Sequence, residues 1–125
     1  MSVFAILVKK PGQWIQHLDS NDWKSYFGAT WNAGEQRWQG SGGWGIEVIG
    51  TWSDGFRPTK VRVHWDPQPA TTTLQILDSN SNYIVNYAGY VDNQEVDITY
   101  AGYDIDILFV TGAAAYIWNI EFYVP

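Results

Sequence analysis

From Lys60 to the C-terminus, apolar residues return at every second position, the period of a β-strand with one buried face. Val61, Val63 and Trp65 fall on one side, and Lys60, Arg62 and His64 on the other. Ile105, Ile107 and Phe109 alternate with Asp104, Asp106 and Leu108. Tyr116, Trp118, Ile120, Phe122 and Val124 alternate with Ile117, Asn119, Glu121 and Tyr123. Shorter runs over Leu74 and Ile76, Tyr83 and Val85, and Val96, Ile98 and Tyr100 read the same way. Turn-forming residues divide them: Ser53-Asp54-Gly55, Asp66-Pro67-Gln68-Pro69 and Asp78-Ser79-Asn80-Ser81-Asn82. Short polar side chains bond their own backbone and tolerate left-handed angles, so they end strands. From Gly45 onward about seven strands follow at the spacing of a sandwich or barrel. No long segment has a helical period, although Asp19-Ser20-Asn21-Asp22-Trp23-Lys24 offers N-cap candidates for one short helical turn. The expected fold is all-β: an antiparallel β-sandwich, a single domain over residues 1–125.

Charge and composition narrow the function. The net charge is −6, and the seven Lys and Arg are spread from Lys9 to Arg62. That is not the basic face a phosphate backbone requires, so nucleic acid is not an expected partner. The absence of Cys excludes disulfides, thiolate metal sites and a Cys nucleophile. The N-terminal run Val3–Val8 precedes Lys9 and Lys10, the wrong order for a signal peptide, and no run is long enough for a transmembrane helix. Eight Trp, eight Tyr and five Phe are many rings for one small core. Either the core is unusually aromatic or part of the set forms a binding face.

Gly28 to Gly45 reads as a Gly-rich loop holding three Trp. A sugar presents a ring face of C–H groups and a rim of hydroxyls. Indoles stack on the face, and planar polar groups engage adjacent hydroxyls. Trp31, Asn32, Glu35, Gln36, Arg37, Trp38 and Trp44 supply that mixture, with Trp52 and Asp54 close behind. The competing assignment makes the same tryptophans a plug at one end of the sandwich. Tyr87-Ala88-Gly89-Tyr90 recurs as Tyr100-Ala101-Gly102-Tyr103, which makes Tyr87 and Tyr90 further binding candidates. If both copies lie at one end of the sandwich, their tyrosines cluster.

The segments Pro58–Val63, Thr73–Asn80 and Ile117–Phe122 resemble those of galactose-binding-like jelly rolls, which include discoidin-type domains and several carbohydrate-binding modules. The resemblance spans roughly residues 45–125. It implies a jelly-roll sandwich with a ligand site at loop tips or on a sheet face, and makes a structural calcium conceivable. Asp104 with Asp106, and nearby Asp92, Glu95 and Asp97, are oxygen donors for such an ion, or else a solvated acidic face.

Catalysis has little support. His17 and His64 have no zinc spacing, no GxSxG elbow occurs, and Gly40-Ser41-Gly42-Gly43 lacks the Lys of a phosphate loop. No motif singles out a carboxylate pair for glycoside hydrolysis. The expectation is a non-catalytic lectin or carbohydrate-binding module, with no required cofactor. Shallow sugar sites gain little per contact, so a homo-oligomer is a natural corollary. Two alternatives stay open: a cytolysin-like protein whose Trp loop enters a membrane surface, and an assembly module whose rings anchor an interface.

Overall fold

A computed structural model describes residues 12–49, 52–66, 72–111 and 116–125. The Val3–Val8 run and the Pro67-Gln68-Pro69 part of one expected turn lie outside these residues. The described chain forms β1 (Gln13–Gln16), β2 (Trp23–Phe27), β3 (Thr30–Asn32), β4 (Arg37–Gln39), β5 (Trp44–Val48) and β6 (Lys60–Asp66). These are followed by β7 (Thr73–Asp78), β8 (Tyr83–Ala88), β9 (Val96–Asp97), β10 (Ile105–Thr111) and β11 (Tyr116–Val124). Among the described residues seven strands follow Gly43, as the turn spacing predicts. The Gly28–Gly45 segment is not a loop: it holds the β3–β4 hairpin and the start of β5. The expected helical turn is a single turn closed by Trp23 N–H donating to Asp19 O at 3.0 Å, after which β2 begins.

Two antiparallel sheets pack face to face. One has the order β3-β4-β11-β6-β9, with β1 also paired to β11, and the other the order β2-β5-β10-β7-β8. From β4 to β11 the chain alternates between sheets except at the β7–β8 hairpin, so four strands of each sheet interleave as in a jelly roll. Val61, Val63, Trp65, Ile120 and Phe122 from the first sheet meet Trp44, Ile46, Leu74, Ile76 and Leu108 from the second, all buried.

Two central strands break the simple alternation. In β10 the register shifts between Ile105 and Ile107, so Leu108 and Val110 turn inward while Phe109 turns outward against Tyr26. In β11 it shifts between Ile117 and Asn119. An extra residue moves everything after it to the opposite face. Ile117, Ile120 and Phe122 are therefore buried, and Tyr116 and Trp118 leave the apolar set that period two assigned them.

Asp78 is buried at the mouth of the β7–β8 hairpin. Its Oδ1 accepts from the N–H groups of Asn80 and Asn82, each at 2.9 Å. Burial opposes its ionisation, but the Asn82 N–H, the Asn82 amide and the Asn80 N–H outweigh that and hold its pKa below the ordinary carboxylate value. A group lowered in the fold adds stability above its unfolded pKa of about 3.9 and loses it as the pH falls through the folded value. Gly40 marks a second tight point, because a Cβ there would sit 2.5 Å from Cγ of the Trp44 ring, whereas a Cβ on Gly43 would meet nothing.

Asp78→Ala is expected to cost about 2 kcal/mol in urea denaturation at neutral pH, through the amides left without an acceptor. It should also flatten the loss of stability below about pH 4; an acid limb unchanged from wild type would contradict the assignment. Gly40→Ala is expected to lose about 1–3 kcal/mol by overpacking against Trp44, and Gly43→Ala to stay within about 0.5 kcal/mol.

Candidate functional site

Burial separates the tryptophans. Trp44 is 0% and Trp38 2% exposed. A buried indole must place its N–H, and the segment after β1 supplies acceptors. Trp38 Nε1 donates to Leu18 O at 2.5 Å, Trp23 Nε1 to His17 O at 3.0 Å, and Trp52 Nε1 to Asp22 O at 2.7 Å. Trp31 packs half-buried against Trp38, with ring centroids 5.4 Å apart. Trp52 stacks on His17 at 4.0 Å and leans on Phe56 and Phe122. The plug assignment thus accounts for Trp38 and Trp44, and neither offers a ring face to a ligand.

The other candidates are dispersed. Asn32 ends β3 while Glu35 and Gln36 lie in the β3–β4 turn, and Asn32 Oδ1 accepts from Glu35 N–H at 3.1 Å. Gln36 takes φ 58° and donates from its amide to Ala33 O. Asp54 is exposed in the Ser53-Asp54-Gly55 turn, near Trp52 but away from that hairpin. Tyr90, a further binding candidate in the sequence, is fully buried and offers no surface to a ligand. Its hydroxyl accepts from Val63 N–H at 2.8 Å and donates to Gln94 O at 2.5 Å, and burial raises its pKa. Tyr87 lies at its edge and accepts from Gln94 Nε2 at 2.6 Å. Tyr100 instead donates to Pro58 O at 2.8 Å, at the other end of β6, so the two Tyr-Ala-Gly-Tyr copies do not cluster. What they share is a left-handed glycine, Gly89 at φ 73° and Gly102 at φ 109°.

What the structure does gather is the outer face of the sheet built on β11. Register places Gln16, Glu121 and Arg62 in one row, and Trp14, Tyr123 and Lys60 in the next. Asn119 lies opposite His64, and Tyr116 lies between Gln39 and Asp66. Arg62 Nε donates to Glu121 at 2.9 Å while its guanidinium lies 3.9 Å over Trp14. Trp14 in turn packs on Tyr123 at 5.3 Å. At the opposite end, Arg37 lies 3.8 Å over Tyr116 and 4.9 Å over Trp118. Charge over a ring face helps to fix both arginines, Arg62 together with its Glu121 ion pair. Between the two aromatic ends lies a depression of ≈ 390 Å³ lined by Arg62, His64, Asn93, Asn119 and Glu121.

Asp92 organises one wall. Its Oδ1 accepts from Trp65 N–H at 2.8 Å and lies 2.9 Å from His64 Nδ1. Tyr90 and Asp92 thus use side chains to satisfy β6 amides beyond the reach of the two-residue β9. A carboxylate only accepts, so the neutral His64 ring carries its proton on Nδ1 and leaves Nε2 as an acceptor.

Of the predicted residues, only Asn32 and Arg37 contribute to this face. Trp14, Arg62, His64, Asn93, Tyr116, Trp118, Asn119, Glu121 and Tyr123 were not among the predicted residues, and Asp92 was named only as an oxygen donor for an ion. A signal did exist: β11 carries large rings in both alternating sets, which a strand with one dry face does not need.

Two of the acidic candidates, Asp104 and Asp106, have charged neighbours. Arg57 Nη2 lies 3.0 Å from Asp104 Oδ1. Asp106 is raised by burial and then by the nearby Glu47 carboxylate. Among the described residues no group of three or more His, Asp or Glu is placed to hold a metal ion. Comparison of the chain with models of protein families, with curated proteins and with solved structures finds no match.

Nitrogen NMR of the imidazole is expected to show His64 as the Nδ1–H tautomer when neutral, and Asp92→Ala to shift it toward Nε2–H. A wild-type ring already in the Nε2–H form would break the Asp92 assignment.

Proposed function

We propose that this protein is a non-catalytic carbohydrate-binding protein whose site is the outer face of the β11 sheet. One observation carries the reading: two outward aromatic groups, Tyr116 with Trp118 and Trp14 with Tyr123, flank a polar row on a single sheet face. Trp118 and Tyr123 are five positions apart on β11, about 17 Å at about 3.4 Å per residue. That span suits an extended glycan better than one sugar ring. The ring surface that Arg37 and Arg62 leave uncovered packs on C–H groups, and Glu121, Asn119, Asn93 and His64 Nε2 take hydroxyls in between. The kinship with galactose-binding-like jelly rolls belongs to the same proposal and is supported by the strand order. An oligomer would multiply weak single-site affinities.

A second reading, attachment to a lipid surface, is favoured by a different patch. Tyr26 is 48% and Phe27 62% exposed, and Phe109 lies beside Tyr26 on the outer face of the other sheet. No helix among the described residues is long and apolar enough to cross a membrane.

The protein is expected to bind polysaccharides on a glycan array with and without chelator. Trp118→Ala and Trp14→Ala should each weaken binding by about tenfold or more at unchanged melting temperature, roughly the loss of one stacking contact. Glu35→Ala, in the exposed turn, should bind as wild type does. A wild-type protein silent across the array overturns the carbohydrate reading, and co-sedimentation with neutral vesicles that is lost in Phe27→Ser would replace it with the lipid one.

A further inference from the structure

We infer that the Arg37 end of this face takes an anionic group on the glycan, a sugar carboxylate or a sulfate ester; this rests on the carbohydrate reading. The two stacked arginines differ in one respect. Arg62 is neutralised by Glu121 at 2.9 Å. Arg37 has no carboxylate within ion-pair distance among the described residues, in a chain of net charge −6. Only its Nε is engaged there, donating to Gln39 Oε1 at 3.2 Å. Tyr116 and Trp118 hold the guanidinium plane, which leaves the two terminal nitrogens as a fixed fork. That geometry matches the paired oxygens of a carboxylate or sulfate.

The surroundings have the same polarity. Gln39 and Tyr116 also border a depression of ≈ 310 Å³ lined by Gly28, Thr30, Gly40 and Ser41. Gln39 Oε1 accepts from both Arg37 Nε and Asn32 Nδ2, so the amide nitrogen is the group it has left to offer. The hydroxyls of Thr30, Ser41 and Tyr116 can donate as well, and among the described residues no carboxylate lines the depression. Through Gln39 and Tyr116 these donors adjoin Arg37, a cation with no ion-pair partner among the described residues, and that favours an oxyanion over a neutral hydroxyl rim. The Arg62 end, with its charge already balanced, suits neutral sugars.

The test is affinity electrophoresis of the full chain in four polymers: polygalacturonate, its fully methyl-esterified form, a sulfated galactan and its desulfated control. Wild type is expected to bind at least one anionic polymer about tenfold more tightly than its neutral counterpart, with the preference fading as salt rises. Polygalacturonate preference identifies a carboxylate, and sulfated-galactan preference a sulfate. Arg37→Met, which keeps the stem on the rings, should abolish the preference. Arg37→Lys, which keeps the charge but loses the fork, should restore it only in part. Equal binding of charged and neutral polymers by wild type overturns the inference and leaves the carbohydrate reading standing. Should no polymer and no arrayed glycan bind, the reading itself falls and the inference with it. If Arg37→Met does not fold, the salt dependence of the wild-type preference still decides, because a salt-insensitive preference is not one for charge.

Discussion

One irregularity in β11 decides what both faces of its sheet can do. The strand lies between β6 on one side and β4 and β1 on the other, so its side chains feed the core and the outer face along its whole length. A regular strand would put Tyr116, Trp118, Ile120 and Phe122 together in the core. The register shift between Ile117 and Asn119 swaps the faces within two residues. Ile117 joins Ile120 and Phe122 inside, and Tyr116 and Trp118 become the outward end of an aromatic and polar face. Bulges are over-represented next to functional sites, where they re-aim a side chain.

The tryptophan content has two separate physical explanations. Trp23, Trp38, Trp44 and Trp65 are core residues. Their burial is tolerable where the indole N–H finds a carbonyl, and residues 17–22 provide three of these in succession, to Trp23, Trp38 and Trp52. A short segment with little regular structure therefore positions much of one end of the core. Trp14 and Trp118 belong to a different system, in which each ring lies beneath an arginine on the outside of the sheet. Stacking holds the arginines without consuming all their donors, and a ligand could use what remains.

The edge of β6 shows how the same face is kept available. The β9 strand pairs with β6 only at Lys60 and Val61. Beyond that, the Tyr90 hydroxyl and the Asp92 carboxylate take the amides of Val63 and Trp65. Asp92 serves twice, since it also orients His64 at the wall of the central depression. Structural satisfaction and site geometry are thus coupled through one carboxylate.

The amino-acid sequence alone determined the all-β class, the sandwich and most strand positions after Gly43. Period-two patterning and turn chemistry are local, and local signals survive without knowledge of what packs on what. It also determined which face of β6 is dry, because Val61, Val63 and Trp65 lie in a run with no bulge. The Gly28–Gly45 segment misled because glycine there signals close approach as well as turning: Gly40 admits the Trp44 ring. Only the tertiary structure decided which rings are inside, since Trp38 and Trp44 are buried by acceptors and partners far away in the chain. It alone decided the composition of the outer face, because β1, β4, β6 and β11 meet only through sheet pairing. A bulge, which no composition or period announces, set the side to which Tyr116 and Trp118 turn.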